Sequence, residues 1–127
     1  MNFVIQDNPL LSAIIKGLED KKARDIVVMH TGGVATAVWD YFVICSGDST
    51  TQVQALADNV AEETRRQLSL RPHHIEGLAN SEWVLLDYDG VAVHIFLPDR
   101  REFYGLEYLW ADVPTLRLPS WGEQNAV

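Results

Sequence analysis

The chain opens on a helical period and later switches to strand periods. Leu11, Ile14, Ile15 and Leu18 recur at i, i+3, i+4 and i+7, which lines one face of an amphipathic helix. Asn8-Pro9 supplies an N-cap followed by proline at the first helical position, where a missing N–H costs nothing. Ile26 to Met29, a brief β-branched run after the polar Lys21 to Asp25, predicts a first strand, and Thr31-Gly32-Gly33 a turn. Tyr41 to Cys45 is apolar throughout, as a central strand covered on both faces would be. Gly47 to Gln52 then starts a long helix, with Ser49 and Gln52 at capping-box spacing. Val53, Leu56, Ala57, Val60, Ala61 and Leu68 form its buried stripe. Asp58, Asn59, Glu62, Glu63, Arg65 and Arg66 fall mainly on the wet side, and Arg71-Pro72 ends it. A short strand is expected from His73 to Ile75.

Glu82 to Trp110 is the most informative segment. Asp89-Gly90 is a strong hairpin signal, and a two-residue turn there sets the register by counting. Tyr88 faces Val91, Leu86 faces Val93, and Val84 faces Ile95. This side is apolar apart from one hydroxyl and is the expected core face. The opposite side pairs Asp87 with Ala92, Leu85 with His94, and Trp83 with Phe96. The hairpin therefore has two apolar faces where a surface hairpin needs one. A helix of the same chain or a partner could cover the second, and composition leaves the two open. Pro98 closes the strand, and Arg101 to Trp110 predicts a short helix broken near Gly105.

These elements make a single α/β domain, a mixed β-sheet with flanking helices. The link from Cys45 through the long helix to the next strand suits a right-handed crossover. We place the domain at residues 1–112. Residues 113–127, with Pro114, Pro119 and a polar end, are expected to form a flexible C-terminal tail on which Trp121 is docked or loose.

The net charge of −8 argues against direct non-specific binding to nucleic acid and favours a basic partner. The one cysteine, Cys45, lies in an apolar run and reads as a buried structural thiol, which fits a reducing, cytoplasmic setting. The N-terminus lacks a signal-peptide pattern, and no apolar run is long enough to span a membrane.

Three constellations can carry chemistry. Gly47-Asp48-Ser49 begins a helix and could cradle a phosphate, although a plain cap explains the same residues. Asp87 and Asp89, two apart, could hold a divalent metal in a nucleotidyltransferase that also uses Ser49, but Asp89 is better used in the turn. His94 and Asp87 lie diagonally on one face and could orient a general base, yet no nucleophile accompanies them. His73 and His74, adjacent on a strand, point opposite ways and make a poor metal pair.

A family resemblance rests on an ordered set of segments. Asp40-Tyr41-Phe42-Val43-Ile44-Cys45-Ser46-Gly47-Asp48-Ser49 is followed by Gln52-Val53-Gln54-Ala55-Leu56-Ala57-Asp58 and by Glu76-Gly77. Glu82-Trp83-Val84-Leu85-Leu86-Asp87-Tyr88, Val93-His94-Ile95-Phe96, Arg101-Glu102-Phe103-Tyr104 and Leu106-Glu107-Tyr108-Leu109-Trp110 complete it. Over roughly residues 10–112 the chain resembles the Iojap family, the ribosomal silencing factors. It departs in having Asp89 then Gly90 where the family commonly has Gly then Asp. The tail beyond Asp112 has no evident counterpart.

The resemblance implies a fold related to nucleotidyltransferases but without their catalytic carboxylates, and no enzyme activity, metal or cofactor. It implies a translational repressor that binds the large ribosomal subunit through large-subunit ribosomal protein 14 and blocks joining with the small subunit. It also associates the tryptophan of the Glu-Trp-Val motif, here Trp83, with that contact. The expected partner-binding residues are Trp83, Leu85 and Phe96 as apolar anchors, Asp87 as an acidic contact and His94 as a shaping neighbour. Two other readings stay open: a divergent metal-dependent nucleotidyltransferase using Ser49, Asp87 and Asp89, and a homodimer in which the Trp83 face meets its own copy.

Overall fold

The computed structural model of the chain describes residues 5–34 and 37–119. A short 3-10 turn, Ile5–Asp7, precedes helix α1 (Pro9–Asp20). Strands β1 (Arg24–His30) and β2 (Tyr41–Ser46) follow, then helix α2 (Thr50–Leu68). The rest comprises β3 (His74–Glu76), β4 (Trp83–Tyr88), β5 (Val91–Phe96), α3 (Pro98–Tyr104), α4 (Leu106–Leu109) and β6 (Thr115–Arg117). The caps act as their sequences dictate. Asn8 Oδ1 accepts from the Leu11 N–H at 3.1 Å, and Ser49 Oγ accepts from the Gln52 N–H at 3.1 Å.

The six strands form one mixed sheet in the order β3-β4-β5-β2-β1-β6. The β4–β5 register is the one counted from the turn, from Trp83 opposite Phe96 to Tyr88 opposite Val91. One expectation is corrected. The crossover from β2 does not lead to the next strand: β2 pairs in parallel with β5, and β3 and β4 lie between them in sequence. Burial explains the choice. Every residue of β5 is buried, whereas all of β3 is exposed, so β5 takes the centre and β3 the edge.

Helices α1 and α2 pack side by side on one face of the sheet. Leu11, Ile14 and Leu18 of α1 join Val53, Leu56 and Val60 of α2 against Val43, Val84, Leu86, Val93 and Ile95. The helices cross closely at Gly17, where an added Cβ would sit 2.9 Å from Val60 Cα, and the Asn59 amide donates to the Gly17 carbonyl at 2.8 Å. Glu63, expected on the wet side of α2, is instead buried and takes hydrogen bonds from Arg66 and Gln67. Those partners make its burial tolerable. Among the described residues, no helix is long and apolar enough to cross a membrane.

The segment after Asp112 also differs from expectation. Thr115–Arg117 adds an edge strand to β1, flanked by bonds from the His30 N–H to the Pro114 carbonyl and from the Leu118 N–H to the Ile26 carbonyl, each 2.9 Å. Pro114 and Pro119 bracket the strand without interrupting it, because an edge strand can spare a donor at its ends. Leu118 packs against the core. Residues 120–127, including Trp121, lie outside the described residues. Helix α3 starts at Pro98, three residues before the expected Arg101, with proline in the helix's first turn.

Candidate partner-binding surface

The second face of the sheet holds a smaller apolar cluster: Val27, Met29, Phe42, Ile44, Ala92 and Phe96. The parallel register sets Phe42 beside Ala92 and Ile44 beside His94. The chain itself covers much of this face. Leu106 and Trp110, four residues apart, pack onto it together with Val113 and Trp39. Trp110 meets the Phe42 ring edge-on, with centroids 5.3 Å apart. Gly105, at φ +61°, ends α3 and starts α4, which lets Leu106 and Trp110 turn back to the sheet.

The five expected contact residues are together, but not equally accessible. Trp83, Leu85 and Asp87 alternate along β4 and are each half-buried. His94 and Phe96 are 7% and 1% exposed. Phe96 is therefore not an exposed anchor. Its ring stacks beneath Trp83 at 5.0 Å, and Tyr104 closes over both, 4.5 Å from Trp83 and 6.3 Å from Phe96. The reason is central position: β5 has a neighbour on each side and α3 follows directly from its end.

Two indole N–H groups organise the polar atoms. Trp83 Nε1 donates to His94 Nδ1 at 3.1 Å, and Trp39 Nε1 donates to Asp87 Oδ1 at 2.8 Å. The expected His94–Asp87 pair is thus replaced by two bonds to tryptophan. Accepting at Nδ1 requires a neutral His94, and burial pushes its pKa down to about 4. Phe42 packs edge-on to the imidazole at 5.1 Å. Trp39, Phe42, Tyr104 and Trp110 complete the layer, and local sequence signals did not single them out. Alternation along Tyr41 to Cys45 could have put Phe42 on this face; nothing local predicts Trp39.

The other constellations have internal uses. The Gly47 N–H donates to the Phe96 carbonyl at 2.9 Å, and the Asp48 N–H donates to Gln52 Oε1 at 2.6 Å. These two donors, and the Gln52 N–H held by Ser49, are thereby engaged within the chain. Asp89 is exposed in the turn. Among the described residues, no group of three or more His, Cys, Asp or Glu side chains is placed to hold a metal. Beyond the carboxyl ends of β2 and β5 lies a crevice of about 470 Å³. There the Arg101 guanidinium donates to Ser46 Oγ at 3.0 Å and pairs with Glu107, which ties α3 and α4 to β2. Cys45, buried beside this end of the sheet, has its thiol pKa raised to about 12 by burial, as expected for an inert structural cysteine.

Comparison with known proteins agrees with this architecture. Residues 5–127 match the family described as "Ribosomal silencing factor during starvation". That span includes the segment beyond Asp112, which the resemblance had left without a counterpart. The chain is 36% identical over 114 residues to the ribosomal silencing factor RsfS of Halalkalibacterium halodurans, covering 90% of this chain and 96% of that protein. It is 37% identical over 105 residues to RsfS of Bacillus subtilis, covering 83% and 87%. A crystal structure of a Chromobacterium violaceum protein superposes with a TM-score of 0.77 at 34% identity, covering 86% of this chain and 88% of that one. With its family pattern, mixed sheet and ordered motifs in agreement, the chain belongs to the ribosomal silencing factor (RsfS) family.

Proposed function

We propose that this protein is a translational repressor that binds the large ribosomal subunit through large-subunit ribosomal protein 14 and sterically blocks joining with the small subunit. The observation that carries this reading is Trp83: a tryptophan on a rigid strand, partly open to solvent, within a family named for ribosomal silencing. Tryptophan is the side chain most often found at the energetic centre of an interface. Leu85 and Asp87 continue the surface along β4, while His94 and Phe96 hold Trp83 in place from below. The net charge of −8 favours a basic ribosomal protein over bare RNA as the contact. Exclusion needs affinity and bulk at the subunit interface; it needs no bond-making step.

Sedimentation with purified large subunits tests the proposal. Wild-type protein co-sediments and slows joining when small subunits are added. Trp83→Ala is expected to weaken association about 30-fold, the equivalent of about 2 kcal/mol. Undiminished binding by a folded Trp83→Ala variant would overturn the assignment.

A further inference from the structure

The sheet's surplus apolar face is largely covered by the chain's own Leu106 and Trp110, but that cover creates a second surplus outside it. Phe103, Tyr108 and Leu109 are 75%, 83% and 74% exposed, and Tyr104 is 44% exposed. Four large apolar side chains thus meet solvent within seven residues. A helix with one side on a core ordinarily turns polar residues outward. Single exposed apolar residues need no explanation, whereas a dense group of them marks a contact surface.

We propose that the outer face of α3–α4 docks a basic protein and extends the Trp83 surface into one interface; the proposal rests on the ribosomal reading above. Continuity supports it at the α3 end, while Tyr108 of α4 reaches toward β1 and β6. The Tyr104 ring lies 4.5 Å from Trp83, and Phe103 lies 5.2 Å from Tyr104. Charge selects the occupant. Residues 98–113 hold four carboxylates (Asp99, Glu102, Glu107 and Asp112) against two arginines, and Arg117 of β6 lies alongside Tyr108 as a third cation at the far end. Both arginines are already paired, Arg100 with Glu82 and Arg101 with Glu107. Asp99, Glu102 and Asp112 remain exposed around the apolar side chains. A basic partner would neutralise this rim, whereas a second copy would bring the same carboxylates against it. The Arg101 bridge to Glu107 and Ser46 holds both helices on the sheet before binding, which lowers the ordering cost of association.

The test uses the full chain and purified large ribosomal subunits. One variant combines Phe103→Ser, Tyr108→Ser and Leu109→Ser; a second combines Glu102→Lys and Asp112→Lys. All five positions are exposed, so both variants should retain the wild-type circular dichroism and melting transition. The expected result is co-sedimentation of the wild type, at least a tenfold loss in the serine variant, and a weaker, less salt-sensitive association in the lysine variant. Light scattering of the free chain should not distinguish the serine variant from the wild type. Wild-type binding retained in full by the serine variant overturns the proposal. So does conversion of a wild-type dimer to a monomer that still binds large subunits, which would assign the face to self-association. Failure of the wild type itself to co-sediment overturns the ribosomal reading and this proposal with it.

Discussion

Trp83 donates its indole N–H to Nδ1 of His94, 3.1 Å away on the neighbouring strand. The donor sits at the proposed contact surface and the acceptor beneath it, so the position of the partly buried ring depends on a buried acceptor. That acceptor exists only while His94 is neutral, because a protonated imidazole carries N–H on both nitrogens.

Acid should therefore loosen this corner of the fold. Burial holds the His94 pKa near 4, below its ordinary value of 6.5. Between those values the unfolded chain takes up a proton that the folded chain refuses. Stability should fall as pH drops from about 6.5 to about 4 and level off below, by on the order of 3 kcal/mol in total. Urea midpoints for wild type and His94→Gln across that range check this. The wild-type curve should descend more steeply, since the glutamine variant lacks the titrating group; parallel curves would exclude His94 as the source.

Asp87 is engaged by Trp39, and the two roles open to it separate by substitution. Asp87→Asn keeps an acceptor for the indole, whereas Asp87→Ala strands a part-buried donor. The alanine change should cost about 1–3 kcal/mol of stability and the asparagine change less than half of that. If Asp87 also meets a basic partner directly, Asp87→Asn will weaken large-subunit binding while leaving the melting temperature nearly unchanged. A loss of binding that merely follows stability would reduce Asp87 to a support for Trp39.

The hairpin was legible because strand period and turn chemistry together leave one register, and Trp83, Leu85 and Asp87 alternate on one face as counted. The cover over that face was not legible. From Phe103 to Trp110 most positions are apolar, so no polar stripe reveals that Leu106 and Trp110 turn inward while Tyr108 and Leu109 turn outward. Trp39 and Asp87 are 48 residues apart, and no local pattern links an indole to so distant a carboxylate. Strand β6 was hidden by its prolines, which read as breaks until the strand is seen to lie at an edge. Glu63 fits the solvated pattern of α2 and is drawn in only by side chains of the following turn.

Gly17 offers a test of the helical layer that is independent of partner binding. Alanine is better than glycine in a helix interior by about 1 kcal/mol, which alone would make Gly17→Ala stabilising. Its Cβ, however, would lie 2.9 Å from Val60 Cα and 3.2 Å from the Asn59 carbonyl oxygen, both backbone atoms. Forcing the helices apart costs typically 1–3 kcal/mol and also stretches the Asn59 bond to the Gly17 carbonyl. The clash should win, giving a net loss of up to about 2 kcal/mol in denaturant unfolding. A gain in stability would show that α1 and α2 can separate freely.

Phe96 and Trp83 stack on one another yet should fail differently when removed. Phe96 is 1% exposed on a central strand, so Phe96→Ala opens a cavity and should cost about 3–5 kcal/mol of stability. Trp83 is only partly buried, so its truncation should cost less stability and more affinity. Phe96→Leu provides the control, since it keeps most of the buried volume while losing the aromatic face under the indole. If Phe96 acts only from beneath, Phe96→Leu will bind large subunits within a few-fold of wild type at a temperature where both are folded. If it binds as weakly as Trp83→Ala there, the stacked pair rather than the indole alone sets the affinity, because a ring that no partner can touch would then be acting through the orientation of the one above it.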